Sequence, residues 1–334
     1  MPFHLRQCHL LQSCWHPCVA GLLVFALSVS AAGTAISSAS AGLISQATHT
    51  KSAAARQTDK LDRARKLLET LRWEEAAALV RTYLQKHPGE SDAHALLGLI
   101  LYRGRQPRAS MAEYVQASKL GDLTAFDLRI FAMDCAAIPD FPEAEKWMMR
   151  SLAIDERDAA TWEALGHVRF AAQHYEQAIE ALEHALQLAP RTVSAESLIG
   201  LANERMARLD AAEAAYRTAI QWQTGRAEID AVPLLGLGRV LMTNNQPEEA
   251  IGWLQQAAKA TAPPAEVHEV LGLAYSKTAR PAMAAEELET AIRLQPQSAR
   301  LHLMLARVYR SLGKAENADA ELKLYSTLNG NGVQ

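Results

Sequence analysis

The chain has 334 residues, of which 49% are hydrophobic and 6% aromatic, with 34 basic and 37 acidic residues and a formal charge of -3. This is enough apolar material for a large core, and the wealth of Ala, Leu, Glu, Gln and Arg favours helices over strands. The balanced charges are interspersed and give no general attraction to a phosphate backbone, so nucleic acid is not an expected partner.

The N-terminal stretch is set apart by its composition. From Gln7 to Thr50 there is no Asp, Glu, Lys or Arg, and Val19 to Val29 is an apolar run preceded by Arg6. Small residues follow it, Ser30-Ala31-Ala32 and Ala39-Ser40-Ala41, as in a secretory signal with cleavage sites between small residues. Residues 1–32 are therefore expected to be a signal peptide or an N-terminal anchor. The run is shorter than the roughly 20 residues of a spanning helix, and Lys51 and Arg56 put more positive charge after it than before it. Both features favour export over anchoring, and any membrane contact is expected only through this segment. Cys8, Cys14 and Cys18 precede or open the run, so a cleaved product keeps Cys135 alone and no internal disulfide. Cys135 reads as a small buried hydrophobe. Residues 33–56, rich in Ala, Ser and Thr, read as a flexible linker.

From residue 57 a 34-residue frame repeats. It is plainest as Trp162, Leu165, Gly166, Ala178, Leu182, Ala185 and Pro190, and returns as Leu271, Gly272, Tyr275, Ala284, Leu288, Ala291 and Pro296. Eight units are expected near 57–90, 91–124, 125–158, 159–192, 193–226, 231–264, 265–298 and 299–330, with Ala227 to Asp230 as the single break. Apolar spacing of three and four makes each unit two antiparallel helices. Pro107, Pro142, Pro247 and Pro281 stand near the first turn of second helices, where a missing N–H costs nothing. Gly98, Gly166, Gly200, Gly238 and Gly272 share one frame position, and the expectation is close helix approach opposite small residues such as Ala178 and Ala212. A unit this small cannot bury its apolar face alone and must stack on its neighbours.

The pattern resembles the tetratricopeptide repeat, with its Trp-x2-Leu-Gly-x2-Tyr, Ala-x3-Phe, Pro signature, over about four-fifths of the chain. The third unit departs most, carrying Phe131, Ala132 and Cys135 for Leu, Gly and Tyr. The resemblance implies an all-α fold, a right-handed superhelical solenoid whose concave surface is lined by the first helices and holds an extended peptide or a helix of a partner. It also implies a non-catalytic scaffold for protein binding in a bacterial envelope, periplasmic or secreted, or held in the inner membrane by the N-terminal segment. The alternative is a chaperone-like or regulatory accessory subunit of a separate enzyme or of a secretion or polysaccharide assembly complex.

Nothing in the residues points to chemistry. The histidines fall in different units with no His-x3-His or His-Glu-x2-His pair, and Gly236-Leu237-Gly238 lacks the third glycine and the strand of a dinucleotide site. No catalytic residue, metal site or cofactor is expected. The Lys and Asn set with which some family members grip a C-terminal carboxylate is missing from the corresponding first-helix positions. The expected binding groove instead comprises Tyr102, Arg103, Phe126, Arg129, Met133, His167, Phe170, Arg205 and Arg239, aromatic, Met and Arg residues being the types enriched at binding hot spots.

Overall fold

The structure is a computed structural model that describes residues 60–330. The apolar segment 1–32, the linker 33–56 and the three cysteines before Cys135 lie outside the described residues. Among the described residues there are sixteen helices and no strand. The first four pairs are α1 (60–69) with α2 (Trp73–Leu84), α3 (Ser91–Arg103) with α4 (Pro107–Leu120), α5 (Ala125–Ala137) with α6 (Phe141–Ile154), and α7 (Ala159–Ala171) with α8 (Tyr175–Leu188). The next four are α9 (Val193–Arg205) with α10 (Leu209–Gln223), α11 (Ala231–Thr243) with α12 (Pro247–Ala257), α13 (Ala265–Lys277) with α14 (Pro281–Leu294), and α15 (Ala299–Ser311) with α16 (Ala315–Gly330). First helices begin 34 residues apart from Ser91 to Val193, and again from Ala231 to Ala299. The chain divides into two compact units, up to Ala164 and from Leu165 onward, and each is described by itself.

The hairpin turns share one device. At the end of each first helix a backbone N–H reaches back five residues, as from Gln106 to Leu101 O (2.9 Å), His174 to Arg169 O (2.9 Å) and Gln246 to Leu241 O (2.8 Å). The residue just before each of these donors has positive φ: Arg105 at 58°, Gln173 at 66°, Asn245 at 58°. This is the left-handed cap that satisfies the last carbonyls of a helix. Only the eighth hairpin places a glycine there, Gly313, so most turns hold an ordinary residue in a conformation that disfavours a Cβ. Pro107, Pro247 and Pro281 then open the second helices at their first position.

Inside the hairpin the glycine frame is a matter of contact. A Cβ built on Gly166 would meet Leu182 Cγ at 2.6 Å and the Ala178 carbonyl oxygen at 3.3 Å; on Gly272 it would meet Leu288 Cγ at 2.8 Å and Ala284 O at 3.3 Å. The expected small residue thus contributes its backbone, whereas a large side chain four positions later fills the place the glycine vacates. That side chain is Leu182, Leu254 or Leu288 in some hairpins and Tyr114 or Tyr216 in others. Tyr216 is wedged between Gly200 of its own hairpin and Gly236 of the next first helix. Gly236 and Gly238 therefore serve two different contacts, one toward Tyr216 and one toward Leu254.

A second tie recurs. His94, His268 and His302 each place Nδ1 on a glutamate of the paired helix, Glu113 (2.7 Å), Glu287 (2.7 Å) and Glu321 (2.6 Å), 19 residues on in every case. The four-residue break lengthens a connection and adds no element: residues 224–230 link α10 to α11. The buried Gln223 side chain closes this loop, accepting from Asp230 N (2.8 Å) and donating to Asp230 O (3.1 Å), while Asp230 caps α11 through Val232 N (2.9 Å). The divergent third hairpin packs as the others do, with Ala132 and Met148 both fully buried. Its first helix starts from a capping box of Thr124 and Asp127.

Gly166→Ala is expected to lower stability by about 1–3 kcal/mol through overpacking, although in an open helix the same change gains roughly 1 kcal/mol. Gly252→Ala, in α12 with open space where its Cβ would go, is expected to raise stability by that smaller amount. Urea denaturation of both variants checks this, and a gain in both would contradict the close-approach account.

Candidate functional site

In the first unit the structure brings five of the expected groove residues together on α3 and α5. Tyr102 and Arg103 close the last turn of α3; Phe126, Arg129 and Met133 follow one another at spacings of three and four along α5, so they share one face. The Tyr102 hydroxyl donates to Met133 Sδ at 3.6 Å, and the Arg129 guanidinium sits over the Phe126 ring, 5.3 Å from its centroid. Arg129 Nε also approaches Asp158 Oδ2 at 3.6 Å. All five side chains are half-buried. Tyr114, Phe131 and Trp147 form an aromatic row across α4, α5 and α6, with ring centroids 5.9 and 4.7 Å apart.

Asp134, one position after Met133, is the residue that sequence reasoning missed. It is 1% exposed, and its Oδ2 has no hydrogen-bond partner. Among the described residues the other buried side-chain nitrogen or oxygen atoms in that condition are Arg103 Nε, Tyr114 Oη and Arg129 Nε, all on α3, α4 and α5. Such atoms are rare in native interiors, and each needs a physical reason. Burial pushes the Asp134 carboxyl up to about 7, with only the Ser110 hydroxyl opposing. Burial likewise raises the Tyr114 and Tyr102 phenols, to which the Asp134 charge adds. Cys135 is buried, and the same cause pushes its thiol up to about 12, the environment of an inert thiol.

In the second unit the expected residues take different roles. Phe170 is buried against Tyr175, ring centroids 5.3 Å apart, and so plugs its own hairpin. His167 is half-buried and Arg205 exposed. Arg239 is committed to a clamp: Nε and Nη2 each donate to Glu204 at 2.9 Å, Nη1 donates to Glu266 at 3.0 Å, and Tyr216 Oη donates to the same Glu204 at 2.9 Å. Burial opposes the Arg239 charge, but the hydrogen bonds and charge of Glu204 more than offset it, so its protonated form is held more firmly than usual. Arg239 thereby ties α9, α11 and α13 together.

A concavity of about 460 Å³ lies along α13 and α15, lined by Leu273, Ser276, Met304, Arg307, Val308 and Ser311. Leu273, at 38% exposure, and Arg307 stand 34 residues apart, at the frame position that holds Met133 and His167 earlier in the chain. Extending the same frame to the last two units is the signal that finds them. Among the described residues no group of three or more His, Cys, Asp or Glu could hold a metal ion, and no helix is long and apolar enough to cross a membrane.

Sequence models of the tetratricopeptide repeat match residues 159–192, and residues 61–122 and 269–329. A comparison with curated proteins gives no match. Among solved structures, a tetratricopeptide repeat protein from Parabacteroides merdae is similar with a TM-score of 0.60 at 13% identity, covering 75% of this chain and 98% of that one. Yeast Tom70 is similar with a TM-score of 0.57 at 16% identity, covering 77% of this chain and 55% of that one. PilF of Pseudomonas aeruginosa is similar with a TM-score of 0.51 at 19% identity, covering 60% and 89%. These likenesses share the fold.

Removing Arg239 from this half-buried fork leaves the Glu204 charge uncompensated, so Arg239→Ala is expected to cost about 1–3 kcal/mol. Arg205→Ala, on the exposed end of α9, is expected to stay within about 0.5 kcal/mol. Denaturant midpoints of the two variants read the difference, and equal values would remove the clamp from the account.

Proposed function

The chain belongs to the tetratricopeptide-repeat family, and we propose that it is a non-catalytic scaffold whose first-helix faces hold a peptide or helix of a partner protein. The observation that carries this reading is the convergence of Tyr102, Arg103, Phe126, Arg129 and Met133 on α3 and α5, half-buried and drawn from the residue types that dominate binding hot spots. Two guanidinium groups beside a phenol, a phenyl ring and a thioether call for a segment that carries apolar side chains next to carboxylates. In the second unit His167, Arg205 and the Leu273 to Arg307 concavity offer further contact surface of the same kind.

The scaffold is an exported adaptor of the bacterial envelope in this reading, the apolar run of residues 19–29 supplying the export signal. Protein recovered from the exporting cell is expected to begin between about Gly33 and Gly42. An intact N-terminus in the membrane fraction would establish the anchor instead.

For binding, the chain used as bait recovers the partner, and calorimetry then compares variants. Arg129→Glu is expected to weaken capture through like-charge repulsion and lost charge-assisted hydrogen bonds, and Tyr102→Ala to remove an anchor worth at least about 1 kcal/mol. Glu180→Lys, exposed on the second helix α8, is expected to be nearly neutral. Full binding by the Arg129→Glu, Tyr102→Ala double variant would rule out this face as the site.

A further inference from the structure

In the second unit the packing between successive hairpins is interrupted at the end of α12. This helix stops at Ala257 after 11 residues, where α10 has 15 and α14 has 14, and Pro263 and Pro264 hold the chain out of a helix before α13. Ala258 takes the frame position of Ile292, 34 residues on, and of Ile220 before the four-residue break, and both isoleucines pack against the core. With an alanine there, a cavity of about 380 Å³ stays open, lined by Gln255, Ala258, Lys259, by Leu271 and Tyr275 of α13, and by Glu287 of α14. Its size falls in the range of small-molecule sites. Leu273 and Ser276 of α13 line the concavity toward α15, whereas Leu271 and Tyr275 each stand two positions from Leu273, on the other side of the helix. The cavity is therefore separate from the first-helix face.

The polar groups around it carry opposite charges. In the eighth hairpin Tyr309 Oη donates to the Glu289 carboxylate at 2.8 Å; one unit earlier Tyr275, 2% exposed, meets the Gln255 amide at 2.8 Å instead. A negative charge is thereby absent from the position four residues before Lys259, whose ammonium makes no ion pair among the described residues. On the α14 side, Glu287 Oε2 meets His268 Nδ1 at 2.7 Å, which holds the carboxylate in place and leaves Oε1 to accept from a ligand. A free ammonium, a positioned carboxylate and the apolar Ala258 and Leu271 together call for a small ligand with both charges and an apolar body. We propose that this cavity binds a free aliphatic α-amino acid. The ligand carboxylate goes to Lys259, its ammonium to Glu287, and its side chain into the place that Ile220 and Ile292 fill at the same frame position.

Calorimetric titration of the full chain with L-isoleucine tests this, and saturable binding is the expected result. Ala258→Ile, which restores the residue found at this frame position in the units on either side, is expected to abolish binding while the helical content stays unchanged. Lys259→Ala and Glu287→Gln are each expected to weaken it by about tenfold. N-acetyl-L-isoleucine, whose ammonium is blocked, is expected to bind at least about tenfold more weakly than the free amino acid. Three results overturn the proposal: no saturable heat from the wild-type chain up to about 10 mM ligand, undiminished binding to Ala258→Ile, or equal binding of the acetylated form. None of them bears on the first-helix groove, which Arg129→Glu tests by itself.

Discussion

Five of the eight hairpins close because the first helix gives up a side chain at the point where the second helix presses a leucine or a tyrosine onto it, and the other three hold an alanine at that position. A contact of 2.6 Å from an imagined Cβ on Gly166 to Leu182 leaves no room for even one methyl group. Everything else is arranged around that approach. The left-handed turn returns the chain at the right height, the histidine to glutamate tie crosses the same hairpin, and the first helix is left with one face toward its neighbours and one outward. Ion pairs between successive units, such as Arg208 with Glu176 and Arg280 with Glu248, are exposed and contribute little. Apolar packing between helices is the main source of stability.

The elements were legible because a 34-residue frame repeats the same apolar spacing, and the frame alone locates helices, turns and the lengthened link before α11. The contacts that span a hairpin or a pair of neighbouring units were less so. No local pattern tells that His94 meets Glu113, or that Arg239 is spent on Glu204 35 residues earlier. Arg129 and Arg239 are both first-helix arginines, yet one sits beside a ring and a carboxylate at 3.6 Å and the other is forked between two glutamates. Phe170 illustrates the same limit, since a hydrophobe near the groove can turn inward onto Tyr175. Asp134 escaped notice because sequence reasoning looks for exposed charge, and its interest lies in having none.

The picture of function that results separates two kinds of polar group along the first helices. In the second unit the Arg239 network satisfies itself and serves as a strut. In the first, Arg103, Arg129 and Asp134, together with Tyr114 of the second helix α4, each keep an atom without a hydrogen-bond partner, and polar groups left in that condition are what a partner can act upon. The hot-spot residue types gather on the same helices, α3 and α5, and the proposed binding face lies there.

The most direct test of that assignment places a photo-crosslinking residue at position 133, in the cell that makes the protein, with a second chain carrying it at position 180 on the exposed face of α8. Adducts to another protein from position 133 and none from position 180 are the predicted result. Adducts from position 180 alone, or equal yields from both, would contradict the claim that the α3 and α5 face is the working surface.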